Sequence, residues 1–138
     1  MGLKTFWDTN VFIYLIEEHP IFLPRVLARY ERHLADGDVL VTSTLTLGEL
    51  LVVPLRRENH KLVEQYVDLL TVGERFQLTV FDRIAAEHYA RIRASTSVPQ
   101  PDAIQLACAA AAEATTFITN DQRLWDLKVA GIDTICGI

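Results

Sequence analysis

The sequence predicts a three-layer α/β/α sandwich around a mainly parallel central sheet of about five strands. Two observations predict it. Short runs of β-branched and aromatic residues recur along the chain, and apolar residues at helical spacing separate them; helical crossovers connect parallel neighbours. At 138 residues the chain has room for one well-formed core, so a single domain over 1–138 is expected.

The first unit is a strand at Leu3 to Trp7, an acidic turn at Asp8, and a helix from Val11 that stops before Pro20. Phe22 to Leu34 is an amphipathic helix, with Val26, Leu27, Tyr30 and Leu34 on its apolar side and Arg25, Arg29 and Arg32 on another face. Asp36-Gly37-Asp38 turns the chain into a second strand, Val39 to Val41. A helix from Thr44 to Val53 is expected to end at Pro54, and a second from Glu58 to Leu70 completes a helical hairpin. Phe76 to Phe81 is the third strand, and Asp82 caps a helix that runs to about Arg93.

Pro101 suits the start of a helix running from Asp102 to about Glu113. Thr116 to Thr119 is the fourth strand. A short helix is expected from Asn120 and Asp121 to about Lys128, and Thr134 to Cys136 is the fifth strand. In such sheets ligands bind beyond the carboxyl ends of the strands, where Asp8 and Asp121 stand.

Half the residues are hydrophobic and 22% are charged, which gives disorder no compositional support. A formal net charge of -5 argues against a protein that grips nucleic acid by a general basic surface, though not against a nuclease whose acids hold cations. No span long and apolar enough for a transmembrane helix and no signal peptide are evident, so a cytoplasmic location is expected. Cys108 and Cys136 read as buried thiols. His19, His33, His60 and His88 fall on patterns that look exposed, and no two share a ligand-like spacing.

Four acids stand alone in apolar surroundings. Asp8 is the only charged residue between Lys4 and Glu17, Glu49 between Asp38 and Arg56, and Asp102 between Arg93 and Glu113; Asp121 follows the fourth strand with no charge between it and Glu113. Singly, each aspartate is an ordinary helix cap, and Glu49 a harmless residue on a helix rim. Together, isolated carboxylates ask for a compensating cation. No lysine or arginine near them is an obvious partner, and hard oxygen ligands suit Mg²⁺ or Mn²⁺.

Phe6-Trp7-Asp8-Thr9-Asn10, Ser43 with Leu47-Gly48-Glu49-Leu50, Pro101-Asp102-Ala103-Ile104 and Phe117-Ile118-Thr119-Asn120-Asp121 follow one another in a pattern that resembles the PIN-domain family. The likeness is to the toxin ribonucleases of toxin-antitoxin operons, the VapC toxins, and spans nearly the whole chain. Carried over by position, it implies a PIN-like fold and a metal-binding, catalytic quartet of Asp8, Glu49, Asp102 and Asp121, supported by Asn10, Ser43, Thr119 and Asn120. It implies Mg²⁺- or Mn²⁺-dependent cleavage of RNA to a 5′-phosphate and a 3′-hydroxyl, a cognate antitoxin, and a homodimer through the helices from Thr44 to Leu70. Arg56, Arg57 and Lys61 are candidates for contact with RNA or an acidic partner segment. Two rivals differ in class: an inactive PIN-like module that binds RNA or a protein, and a phosphotransfer receiver domain. The receiver would need a lysine after its last strand, and none follows.

Overall fold

The computed structural model describes residues 2–138. Five strands form one parallel sheet: β1 (Lys4–Trp7), β2 (Val39–Ser43), β3 (Gln77–Thr79), β4 (Thr116–Ile118) and β5 (Thr134–Cys136), in the order β3-β2-β1-β4-β5. Between β1 and β2 lie α1 (Thr9–Ile16) and α2 (Leu23–Asp36), and between β2 and β3 lie α3 (Thr44–Arg56) and α4 (His60–Thr71). The chain then crosses back over the sheet through α5 (Arg83–Ser95) and α6 (Gln100–Ala111) to place β4 on the free side of β1. The strand order therefore reverses at the junction of β1 and β4, the position where α/β sheets open a crevice at their carboxyl ends.

Each face of the sheet has its own core. Alanines and Leu106 of α6, with Ala85 and Ile92 of α5, cover Phe6, Val41 and Phe117 on one face. On the other, α1 to α4 close over Trp7, Leu40 and Ile118. The expected three layers follow from this division. Trp7 is fully buried, with Phe12 at 5.6 Å and Phe76 at 5.4 Å between ring centroids. Burial of such side chains contributes roughly 1.5–3 kcal/mol each, and it fixes the end of β1 from which Asp8 projects. Asp8 N–H donates to Ile118 O at 2.9 Å, tying the ends of β1 and β4 together.

Several boundaries depart from the sequence reading. α3 does not stop at Pro54 but carries it inside its last turn and runs on to Arg56. Proline removes only its own donor, while Pro54 O still accepts from Asn59 N–H at 2.9 Å. α6 starts before Pro101, so Asp102 lies in its first turn and caps nothing; Pro99 takes the N-cap position without a side-chain bond. The expected helix to Lys128 is only a 3₁₀ turn, Gln122–Leu124. There the Trp125 indole N–H donates back to Thr119 O at 2.9 Å, and a bridge between Val129 and Ile132 precedes β5.

His33 is buried rather than exposed. Its Nδ1 lies 2.6 Å from Asp38 Oδ2, and its Nε2 accepts from the Trp7 indole N–H at 3.4 Å, which fixes the ring between two partners. Cys136 is only partly buried, because β5 is an edge strand. Cys108 is buried as expected, and burial, with the charge of Asp82, pushes its thiol up to about 11. No helix among the described residues is long and apolar enough to cross a membrane.

Candidate active site

All four acids line one concavity of about 230 Å³ at the carboxyl ends of the strands, with Thr9, Asn10, Ile13, Pro101 and Gln105. Asp8 follows β1 and Asp121 follows β4, so the strand reversal itself brings them together. Glu49 reaches the same place from α3 and Asp102 from the first turn of α6. A larger groove of about 570 Å³ lies at the amino ends of β2 and β3, beside Asp38, Val39 and Gln77, and includes none of the four.

Asp8 is the buried member, 8% exposed. Its Oδ1 accepts from Thr9 N–H at 2.8 Å and its Oδ2 from the Thr119 hydroxyl at 2.8 Å. Burial pushes its carboxyl up to about 6; those two hydrogen bonds oppose the rise, and the charges of Asp102 and Glu49 add to it. Asp102 is likewise held above the usual carboxylate range, first by burial and then by the charge of Asp121, with Arg123 opposing. In both acids burial is the leading cause, and the charge of neighbouring carboxylates adds to it.

Asp121 is different. Its Oδ1 accepts from Arg123 N–H at 3.1 Å and Nε at 2.9 Å, and its Oδ2 from Nη2 at 2.5 Å, which holds its carboxyl below the usual range. Nη2 also lies 3.9 Å from Asp102 Oδ2. The expectation that no basic side chain stands beside the acids is thus corrected by Arg123. The signal was available: Asp121 opens a tight turn, and such a turn brings the residue two positions on back to the carboxylate.

Glu49 is oriented by groups the sequence reading passed over. Its Oε1 accepts from the Thr9 hydroxyl at 2.8 Å and from Gln105 Nε2 at 3.3 Å. Gln105, 2% exposed, also donates to the Thr46 hydroxyl at 2.8 Å and accepts from the Ser43 hydroxyl. Its sequence signature is that of the acids: apart from Cys108, it is the one polar residue between Asp102 and Glu113.

Of the residues expected to support the acids, Thr119 bonds Asp8 directly, and Asn10 donates to the Thr119 hydroxyl at 3.3 Å. Ser43 acts one step away, through Gln105, while capping α3 at Thr46 N–H. Asn120 turns its side chain to the chain terminus, where Oδ1 accepts from Ile138 N–H at 2.7 Å. Arg57 lines an adjoining concavity of about 250 Å³ that shares Glu49 and Ile13 with the acidic pocket. Arg56 and Lys61 are exposed and line neither.

The family model of the PIN domain matches residues 5–129. The chain belongs to the PIN-domain family. Solved structures of VapBC proteins resemble it along most of its length. VapBC2 from Rickettsia felis, bound to a fragment of promoter DNA, is 18% identical with a TM-score of 0.78, over 98% of each chain. DNA-bound VapBC from Salmonella typhimurium is 23% identical with a TM-score of 0.68, also over 98% of each. VapBC-5 from Mycobacterium tuberculosis, described as a member of a family of toxin-antitoxin systems, is 23% identical with a TM-score of 0.66, over 99% of this chain and 100% of that one. At these identities the likeness concerns the PIN fold. Comparison with curated proteins finds no match.

Among the described residues no three His, Cys, Asp or Glu side chains converge as ligands of one ion. The donor set nonetheless fits a hard divalent cation, which takes one or two carboxylates and completes its shell with water and phosphate. The acids of this PIN domain line one pocket, and burial, with the charge of neighbouring acids, pushes the carboxyl groups of Asp8 and Asp102 upward.

Proposed function

We propose that this chain is a divalent-metal-dependent endoribonuclease, the toxin of a toxin-antitoxin pair, acting in the cytoplasm as a single domain over 1–138. The observation that carries the reading is the convergence of Asp8, Glu49, Asp102 and Asp121 on one pocket at the strand reversal of a PIN fold. Bound Mg²⁺ or Mn²⁺ would supply Lewis acidity and an activated water at the phosphodiester.

Asp8 and Asp102 would be the principal ligands. Asp8 is kept in one orientation by Thr9 N–H and the Thr119 hydroxyl, so little order has to be created on binding. Glu49, aligned by Thr9 and Gln105 at one oxygen, would hold the cation or accept a proton with the other. Asp121 completes the acidic wall. Asp102 projects into the same pocket from the first turn of α6.

The adjoining groove, with Leu50, Val53, Leu62 and Tyr66 on its walls and Arg57 and Glu49 at its rim, suits an antitoxin segment that orders on binding. The VapBC assemblies whose toxin fold this chain resembles support such a partner. Exposed Val52, Val53 and Leu55 on α3 support the expected homodimer. One observation favours the alternative of an inactive module that binds RNA or protein: the acids are not drawn together as a finished ligand set. Expression in a bacterial host separates the two. The chain should arrest growth and its Glu49→Gln variant should not; equal arrest by both would remove the metal chemistry from the account.

A further inference from the structure

Among the described residues, Arg123 is the one cation ion-paired with any of the four acids. Three donors from that single residue, its backbone N–H, Nε and Nη2, occupy both oxygens of Asp121, and Nη2 also faces Asp102 at 3.9 Å. The guanidinium thus bridges two acids of the wall across the rim of the pocket. We propose that Arg123 is an intramolecular counter-ion that competes with the divalent cation for Asp121, so that the Arg123–Asp121 clasp and a fully loaded site are alternative states of the protein. The inference rests on the reading of the acids as metal ligands.

Three features make the clasp displaceable. The Arg123 side chain is 73% exposed, so no packing holds it and charge with hydrogen bonding does the work. Neither Asp121 nor Arg123 belongs to a core cluster or to a strand of the sheet. Asp8 and Glu49 lie outside the clasp, since their oxygens bond Thr119, Thr9 and Gln105 instead. A cation can therefore enter against those two and draw Asp102 and Asp121 from Arg123 by its greater charge. In its absence, the guanidinium lies between Asp121 and Asp102, at 2.5 and 3.9 Å, and offsets the repulsion between them.

Mn²⁺ titration of the whole chain tests this, with binding followed by calorimetry and by the rise in unfolding temperature. Arg123→Gln should bind Mn²⁺ about three- to tenfold more tightly than the parent, and Arg123→Lys, which cannot bind a carboxylate in the forked manner, should fall between. The Nε–H resonance of Arg123 should also move toward that of a free arginine when Mg²⁺ is added to the parent. Equal or weaker Mn²⁺ affinity in Arg123→Gln, or a resonance that saturating Mg²⁺ leaves in place, overturns the counter-ion. Absence of Mn²⁺ binding in parent and variant alike overturns the metal reading and the competition together, an outcome distinct from equal binding by both.

Discussion

Gln105 and Glu49 meet across the boundary between the two layers of helices: Gln105 Nε2, on α6, donates to Glu49 Oε1, on α3, at 3.3 Å. The same amide group holds Thr46 and Ser43, so one side chain links the β2–α3 corner to the acidic pocket. Gln105→Ala should cost about 2–3 kcal/mol, because it leaves buried hydroxyls without partners and opens a cavity. It should also weaken Mn²⁺ binding by releasing Glu49. Urea unfolding checks the first effect, and a loss below about 0.5 kcal/mol would show that water or neighbouring hydroxyls replace the amide.

Asp8 couples the pocket to pH. Its carboxyl is pushed from 3.8 up to about 6, chiefly by burial, so the neutral form is the one the fold favours. That contribution to stability is complete below about pH 3.8 and is lost as pH rises through about 6. Asp8→Asn keeps a neutral group at every pH and should stabilise the metal-free protein at pH 7 by about 1–2 kcal/mol, with the gap closing toward pH 4. The full effect of such a shift is about 3 kcal/mol, reduced here because the Thr119 hydroxyl loses its acceptor. Denaturant midpoints in the presence of a chelator report it, and parallel profiles for the two proteins would contradict it.

The alternation of strands and helices was legible because each layer imposes its own period, and β5 was placed at its observed limits, Thr134–Cys136. What failed was local. Pro54 looked like a helix end, but a proline in the last turn forfeits one hydrogen bond and the turn survives. The 3₁₀ turn after Asp121 looked like a longer helix because Leu124 and Leu127 keep an apolar spacing, while a tertiary bond from Trp125 bends the chain away. The acids were legible as solitary charges in apolar runs. Their partners were less so: Arg123 could be inferred only from its place two residues after Asp121, and Thr9 and Thr46 resemble many surface threonines.

His33 illustrates the same limit, since its helix carries arginines on other positions while His33 turns inward to bond Trp7 and Asp38. Burial pushes the Asp38 carboxyl up, but the His33 hydrogen bond and Leu3 N–H outweigh it and hold the group below the usual range. Its contribution is therefore present above about pH 3.8 and is lost as pH falls through the lowered value. Asp38→Asn should cost about 1–3 kcal/mol at pH 7 and progressively less in acid, where the parent loses the same charge. A cost that stays constant down to pH 2 would remove ionisation from the explanation.

The measurement closest to the central claim is cleavage of a single-stranded RNA by the purified chain, with Mn²⁺ or with a chelator, beside its Asp102→Asn variant. Asp102 is suited to this because its side chain caps no helix. The account predicts fragments carrying 5′-phosphates from the parent with Mn²⁺, none with the chelator, and a rate at least about a hundredfold lower for the variant. Cleavage that persists in the chelator, or that Asp102→Asn leaves unchanged, would contradict it.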